Sequence, residues 1–345
     1  MNFDNTDNIL QVNNLQKNFP IKKGYLRKTA GAVKAVDGIS FFIKRGETLA
    51  LVGESGSGKT TTGRCIMRAI EPTAGEILFN LEGEEGVADI RFLKKKRLKS
   101  FREHMGMIFQ DPYASLNPRM TVFDIISEPF ITNRINTNKS QLREIVAGLL
   151  RSVKLAPEYM QRYPHAFSGG QRQRIAIARA IALNPEFIVA DEPVSALDVS
   201  VQAQILNLMH DLQAEFNLTY LFIAHNLAVV EYISDRVAVM YVGRIVELAK
   251  TEELFFDPKH PYTEALLSTV PDIDPERRRV EIELEGEIAN PADPPDGCLF
   301  HPRCRYAKDI CKKEVPQLMD LSTGKEDDHF TACHFADKLQ LTGVK

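Results

Sequence analysis

The stretch from Phe167 to Asp198, FSGGQRQRIAIARAIALNPEFIVADEPVSALD, constrains the fold more than any other part of the chain. Ser168-Gly169-Gly170-Gln171 reads as a turn that opens a helix. Ser168 is a good N-cap, the glycines let the backbone approach a ligand, and Ile175, Ala178 and Ala182 recur on one helical face. A helix start of this kind attracts anions. Asn184-Pro185 stops the helix, and the apolar run Phe187 to Ala190 reads as a buried parallel strand that delivers Asp191 and Glu192 at its carboxyl end. Adjacent acids there suit a metal ligand and a base. Taken singly, the SGGQ turn or the acid pair is as well explained by an ordinary capped helix and solvated carboxylates.

A second phosphate device upstream removes that ambiguity. Gly53-Glu54-Ser55-Gly56-Ser57-Gly58-Lys59-Thr60 fits G-x-x-x-x-G-K-[ST], follows the apolar strand Thr48 to Val52 and precedes a helical pattern, and Thr61 is expected to bind the nucleotide together with the loop. Its glycines free backbone N–H groups to cradle phosphates, Lys59 offers a point charge to the β/γ oxygens, and Thr60 offers a hydroxyl to magnesium. Taken together, the motifs resemble those of the ATP-binding-cassette ATPases: Walker A at 53–60, signature at Phe167 to Gln171, Walker B at Phe187 to Asp191 and a D-loop at Ser195 to Asp198. A GTPase switch uses the same phosphate loop, but its base-reading N-K-x-D is missing, since Asn138-Lys139 is followed by Ser140-Gln141.

At 345 residues the chain has room for about two domains, and a net charge of −3 argues against a dedicated nucleic-acid binder. The N-terminus MNFDNTDNILQ has neither a basic nor an apolar leader region, and no apolar run is long enough to span a bilayer. We therefore expect a soluble protein that reaches a membrane only through a partner. Ile9 to Phe19 and Val33 to Ile43 read as two strands of an antiparallel edge, joined by the connection Pro20 to Ala32. The resemblance implies that an aromatic near the end of the first strand stacks on adenine; Phe19 matches that position, with Tyr25 the alternative.

The basic run Lys94, Lys95, Lys96, Arg97, Lys99 and Arg102 is expected to be a solvated helix face, because only Phe92 and Phe101 accompany it. Met107 to Gln110 reads as a strand ending in glutamine. The resemblance makes Gln110 the Q-loop residue, reaching magnesium and the attacking water, with Asp111 to Arg119 near the membrane partner. Leu142, Ile145, Val146, Leu149, Leu150 and Val153 trace one helix face with Ser140 as N-cap. That region corresponds to the cassette's inserted helical subdomain, about 111–168. Thr219 to Ala224 is a further apolar strand, and His225 at its end matches the family's switch histidine, which contacts the γ-phosphate. Cys65 is expected to be a small core residue. Arg236 to Leu248 reads as a strand pair and Thr251 to Phe255 as a short helix closing the cassette.

The tail narrows the resemblance to the ATPase subunits of bacterial oligopeptide and dipeptide importers. It carries His260-Pro261-Tyr262-Thr263-Glu264-Ala265-Leu266-Leu267, a Pro-rich stretch at 290–297 and the Gly297 to Cys304 pattern G-C-x-F-x-x-R-C. Pro20 to Tyr25 and the long first connection look like the F-type member of the two ATPase subunits such importers carry. Ser57 and Thr60 stand where Cys and Ser are frequent in the group, and neither change removes a donor. Four of the five cysteines, Cys298, Cys304, Cys311 and Cys333, lie in this tail at spacings matching neither zinc ribbons nor bacterial ferredoxin runs. The resemblance favours a [4Fe–4S] cluster over free thiols, with zinc third.

The expected fold is a P-loop α/β cassette, 1–256, with an antiparallel β edge and an inserted helical subdomain, followed by a small Cys-rich C-terminal domain at 257–345. The resemblance implies an ATPase at the cytoplasmic face of the membrane that powers peptide import. Its partners would be a second, homologous ATPase subunit in a heterodimer, two transmembrane permease subunits and, indirectly, a peptide-binding protein. Ser168, Gly169, Gly170, Gln171 and Asp198 would serve the partner's nucleotide. Asp191 would anchor magnesium, and Glu192 would polarise water with help from His225. The rival class is a non-transport cassette of the translation or DNA-repair type, which calls for two cassettes in one chain or long coiled-coil arms; this sequence has neither.

Overall fold

The computed structural model describes residues 7–23, 28–81, 86–135, 137–270, 281–322 and 329–344. In chain order the elements are β1 (Asn8–Lys23), β2 (Lys28–Lys44), β3 (Thr48–Val52), α1 (Lys59–Ile66), β4 (Ala74–Phe79), β5 (Ala88–Asp89), α2 (Lys95–Phe101) and β6 (Met105–Ile108). There follow α3 (Val122–Asn133), α4 (Lys139–Ser152), α5 (Gly169–Ala180), β7 (Phe187–Asp191), α6 (Val199–Phe216), β8 (Thr219–Ile223) and α7 (Leu227–Ile233). The chain continues through β9 (Arg236–Tyr241), β10 (Arg244–Lys250), α8 (Thr251–Phe256), α9 (Pro261–Ser268), α10 (Asp309–Lys313), β11 (Met319–Asp320) and β12 (Phe330–Thr331).

The chain divides into two compact units. One holds 1–10, 43–47 and 78–223; the other holds 11–42, 48–77 and 224–345. In the first, β6, β7 and β8 form a parallel run in which Met105 pairs with Phe187 and Phe187 with Thr219. Every residue of β7 and β8 is buried, which is why these strands read as continuous apolar runs and show no alternation. Phe79 packs edge-on against Phe187 at 5.4 Å, closing the core beside β7.

In the second unit β3 pairs in parallel with β9, and β9 pairs antiparallel with β10. The tail continues that sheet: β12 adds to β10 through Glu247–Thr331 and Leu248–Phe330, and β11 adds to β12. Buried Glu247 ties this corner together, accepting from the backbone N–H groups of Lys259 and His260 at 2.6 and 3.0 Å.

Three local expectations change. β1 and β2 run longer than their apolar patterns, reaching Lys23 and starting at Lys28, because pairing between neighbouring strands does not need apolar side chains. Tyr25 lies outside the described residues. The N-cap of α4 is Asn138 and not Ser140: Asn138 and Gln141 exchange side-chain and backbone hydrogen bonds in a capping box that begins the helix two residues earlier. Ile145, placed on the buried face, is 36 % exposed, whereas Leu142, Val146, Leu149 and Leu150 are buried. The basic run lies on and around α2, with Lys94, Lys95, Lys96 and Arg97 exposed and Phe101 fully buried.

Candidate functional site

In the unit that contains β3, the strand feeds a loop whose glycines are demanded by packing as well as by conformation. Gly53 has φ +145° and Gly58 φ +106°; a Cβ on the first would sit 2.1 Å from the carbonyl oxygen of Met240, and on the second 2.2 Å from that of Ala35. No residue but glycine fits either place. Gly58 is also the N-cap of α1, which has no side-chain cap hydrogen bond, and a helix start of this kind attracts anions.

Lys59 is 5 % exposed and folded over its own loop, its ammonium donating to the carbonyl oxygens of Gly53 at 2.7 Å and Glu54 at 2.9 Å. Ser57 N–H donates to the Glu54 carbonyl at 3.2 Å, and the Ser57 carbonyl accepts from Gly243 at 2.9 Å, anchoring the loop to the β9–β10 turn. Thr60 and Thr61 are half-buried, and Ser55 and Gly56 are exposed at the loop's tip. His225 is exposed one residue past Ala224, whose N–H donates to Leu51 of β3; the histidine thus emerges beside the strand that leads into the loop. Phe19 is 38 % exposed, with the Lys17 ammonium 4.9 Å from its ring centroid.

In the other unit, Asp191 ends β7 buried and Glu192 follows with φ +47°, a left-handed conformation that costs a glutamate about 1 kcal/mol or more. Glu192 N–H donates to Ile223 at 2.9 Å, and its carbonyl accepts from Ser195 N–H and Oγ, so the strained turn is held from both sides. Gln110 lies two residues past the end of β6, and its side-chain amide donates to Glu192 Oε2 at 2.8 Å. The first unit therefore brings a glutamine and the second acid of the pair into contact at the carboxyl ends of neighbouring parallel strands.

Ser168 caps α5 as expected, in a capping box with Gln171. The glycines have a second cause that sequence reading did not supply. A Cβ on Gly170 would meet Val201 Cγ1 at 2.5 Å, and one on Gly169 would meet Leu197 at 3.3 Å, so the start of α5 packs directly on the D-loop and α6. Asp198 caps α6, accepting from Val201 N–H at 3.0 Å and Ser200 Oγ at 2.7 Å; these hydrogen bonds, Ser200 foremost, hold its carboxyl below the usual range.

Two arginines of α5 were also missed. Arg172 stacks over Tyr113 at 4.0 Å, and Arg179 donates to the Ser115 carbonyl at 2.7 Å, tying the segment after Gln110 to the signature helix. Their clue was the basic spacing within QRQRIAIARA, which alone is indistinguishable from a solvated face.

The four tail cysteines line one cavity of about 20 Å³ together with His260, Phe300 and Tyr306. Burial and the neighbouring thiols push Cys304 up to about 11 and Cys333 up to about 12, and burial raises Cys298 as well. None of the five cysteines is in a disulfide, and Cys65 is fully buried in the core. Among the described residues no group of three or more His, Cys, Asp or Glu side chains is disposed to hold a metal ion, so the thiols converge without forming a coordination sphere.

Residues 36–195 match the ABC transporter family, and residues 246–311 match the oligopeptide/dipeptide transporter C-terminal region. The chain is 53 % identical to the oligopeptide transport ATP-binding protein AppF of Bacillus subtilis (strain 168), over 96 % of this chain and 98 % of the relative. It is 51 % identical to the probable peptide ABC transporter ATP-binding protein y4tS of Sinorhizobium fredii, over 95 % and 90 % of the two chains. Among solved structures, the dimeric post-hydrolysis state of the cassette MJ0796 bound to ADP and Pi superposes with a TM-score of 0.60 at 27 % identity, covering 70 % of this chain and 98 % of that one. CbiO1 of Clostridium perfringens, part of the transporter complex cbiONQ, gives 0.60 at 28 % identity, covering 72 % and 91 %. The chain belongs to the ATP-binding-cassette ATPases of the ABC transporter family, in the branch that carries the oligopeptide/dipeptide transporter C-terminal region.

Proposed function

We propose that this chain is the ATP-hydrolysing subunit that powers peptide import through a membrane transporter. The observation that carries the reading is the joining of a complete set of cassette motifs to a peptide-transporter C-terminal region, at 53 % identity over nearly the whole chain to an oligopeptide transport ATP-binding protein. No helix among the described residues is long and apolar enough to cross a membrane, which fits a subunit attached through permease partners at the cytoplasmic face. The peptide-transport role is assigned to the chain as a whole, with 1–256 as the cassette, about 111–168 as its helical subdomain and 257–345 as the C-terminal domain.

In this reading Gly53, Glu54, Ser55, Gly56, Ser57, Gly58, Lys59, Thr60 and Thr61 bind the ATP phosphates, and Phe19 stacks on adenine. Thr60, Gln110 and Asp191 are hard oxygen donors suited to magnesium, which when bound neutralises phosphate charge. Glu192 takes the proton of the attacking water, Gln110 orients the Glu192 carboxylate, and His225 contacts the γ-phosphate. Ser168, Gly169, Gly170, Gln171 and Asp198 act on the nucleotide of a second, homologous ATPase subunit. The packing of Gly170 on Val201 supports one rigid surface made from signature and D-loop.

For the tail, the reading is an iron–sulfur cluster held by Cys298, Cys304, Cys311 and Cys333. What supports it is the donor type, soft sulfur, and the cavity all four share; the thiols are not grouped as ligands, and their raised pKa values mean that metal must displace protons to bind. Purifying the native membrane complex tests the assignment as a whole: two cassette subunits and two permeases should co-purify. Recovery of the chain with ribosomes or DNA in place of permeases would overturn it.

A further inference from the structure

Glu54, the second residue of the phosphate loop, is held at every polar group it has. Its carboxylate accepts from both terminal nitrogens of Arg303, at 2.7 and 3.0 Å. Its N–H donates to Tyr262 Oη at 2.8 Å, and its carbonyl accepts from the Lys59 ammonium at 2.9 Å. Two of these partners come from the C-terminal region, and the third is the lysine assigned to the phosphates. One residue thus links the tail to the group that meets nucleotide charge.

These are not loose surface contacts. The Arg303 side chain is 6 % exposed and Tyr262 is fully buried. A planar guanidinium bonded twice to one carboxylate fixes orientation as well as distance, which a lysine ammonium cannot do. Tyr262 is braced by Tyr241 at 4.8 Å and Phe300 at 5.4 Å, and the backbone N–H of Arg303 donates to the Phe300 carbonyl at 3.0 Å. Phe300 therefore supports both grips on Glu54. Its neighbours at the other end are the tail cysteines, with which it lines a cavity.

We infer that Arg303 and Tyr262 are positioning residues for nucleotide binding: the C-terminal region sets the pose of the phosphate loop, and of Lys59, through Glu54. The inference rests on the assignment of Gly53 to Thr60 to the ATP phosphates. The loop meets phosphate in the ground state and the transition state alike, so loosening it raises KM and leaves kcat at saturation nearly unchanged.

The test measures MgATP affinity of the purified full chain by displacement of a fluorescent nucleotide, and KM and kcat in the assembled transporter. Arg303→Ala should weaken affinity about tenfold and Tyr262→Phe about threefold, as expected for losing a charge-assisted and a neutral hydrogen bond. Arg303→Lys should fall between wild type and Arg303→Ala. Glu54→Ala combined with Arg303→Ala should bind no more weakly than the worse single variant, because both remove one link. Tyr262→Phe keeps the ring and carries the test should the arginine variants not fold. Lys59→Ala separates the possible failures. Loss of binding in Lys59→Ala with wild-type KM in folded Arg303→Ala and Tyr262→Phe overturns the inference alone; unchanged binding in Lys59→Ala overturns the phosphate-site assignment beneath it. A fall in kcat at unchanged KM in the Arg303 variants also overturns the inference.

Discussion

The side-chain amide of Gln110 donates to Glu192 Oε2 at 2.8 Å, joining the residues that follow two neighbouring parallel strands. Glu192 is held there in a left-handed turn, which places its carboxylate at the end of β7 and outside the buried strand. The amide thereby fixes the direction in which the Glu192 carboxylate points.

Glu192→Gln should bind MgATP with near wild-type affinity yet lose turnover by about 10²-fold or more, the range expected for a general base. Gln110→Ala should lower kcat less, because it removes the orienting contact and one magnesium ligand but leaves the base itself in place. Single-turnover hydrolysis beside nucleotide binding checks both. Wild-type turnover in an assembled Glu192→Gln complex would refute the assignment.

The close packing of Gly170 on Val201 makes a paired prediction. Gly170→Ala should cost about 1–3 kcal/mol or shift α5, since valine in a helix has one strongly preferred rotamer and cannot swing clear. Adding Val201→Ala should restore much of the loss in both stability and ATPase activity. Chemical denaturation of the four proteins in the cycle gives the coupling, and additive effects would show that the contact is not what excludes a side chain at 170.

His260 supplies a pH-dependent component. It is buried, its Nδ1 accepts from Tyr262 N–H at 3.1 Å at the start of α9, and burial pushes its pKa down to about 3 from 6.5. The unfolded chain then binds the extra proton first, so this contribution is intact above pH 6.5 and is lost as pH falls from 6.5 towards 3. Between pH 8 and pH 5 the loss should reach about 2 kcal/mol. Denaturant titrations at both pH values should show that difference in wild type and its absence in His260→Asn; identical slopes would refute it.

The tail thiols have a chemical test. Anaerobically prepared protein should contain iron and sulfide that disappear together in Cys304→Ser or Cys311→Ser, with stability falling more than the rate of hydrolysis. Zinc without sulfide would select a zinc site, and metal-free protein with titratable tail thiols would remove the cluster from the account.

The geometry of the glycine-rich loop and of the α5 cap was legible because tight turns and helix caps restrict local sequence. Gly53, Gly58 and Ser168 occupy conformations or caps that few residues can fill, so their identities survive as readable motifs. β7 and β8 were legible because burial on both faces leaves only apolar residues. The missed features join segments distant in sequence. Arg303 reaches Glu54 across 249 positions, and Arg179 reaches Ser115 across 64, and neither leaves a periodic trace. The N-cap of α4 was misread because Asn138 and Ser140 are both good caps, and only the reciprocal bond with Gln141 decides between them. The length of β1 and β2 was underestimated because strand pairing there is carried by backbone groups, on which the side-chain pattern is silent.

The central claim is that ATP hydrolysis at this chain drives peptides across a membrane, and it is tested most directly by uptake into sealed vesicles containing the purified complex. Labelled peptide, presented with its binding protein, should accumulate only when MgATP is on the side of the cassettes, and Glu192→Gln should abolish accumulation while nucleotide remains bound. Peptide accumulation at the wild-type rate in the Glu192→Gln complex, or ATP hydrolysis by the wild-type complex with no peptide movement, would contradict the account.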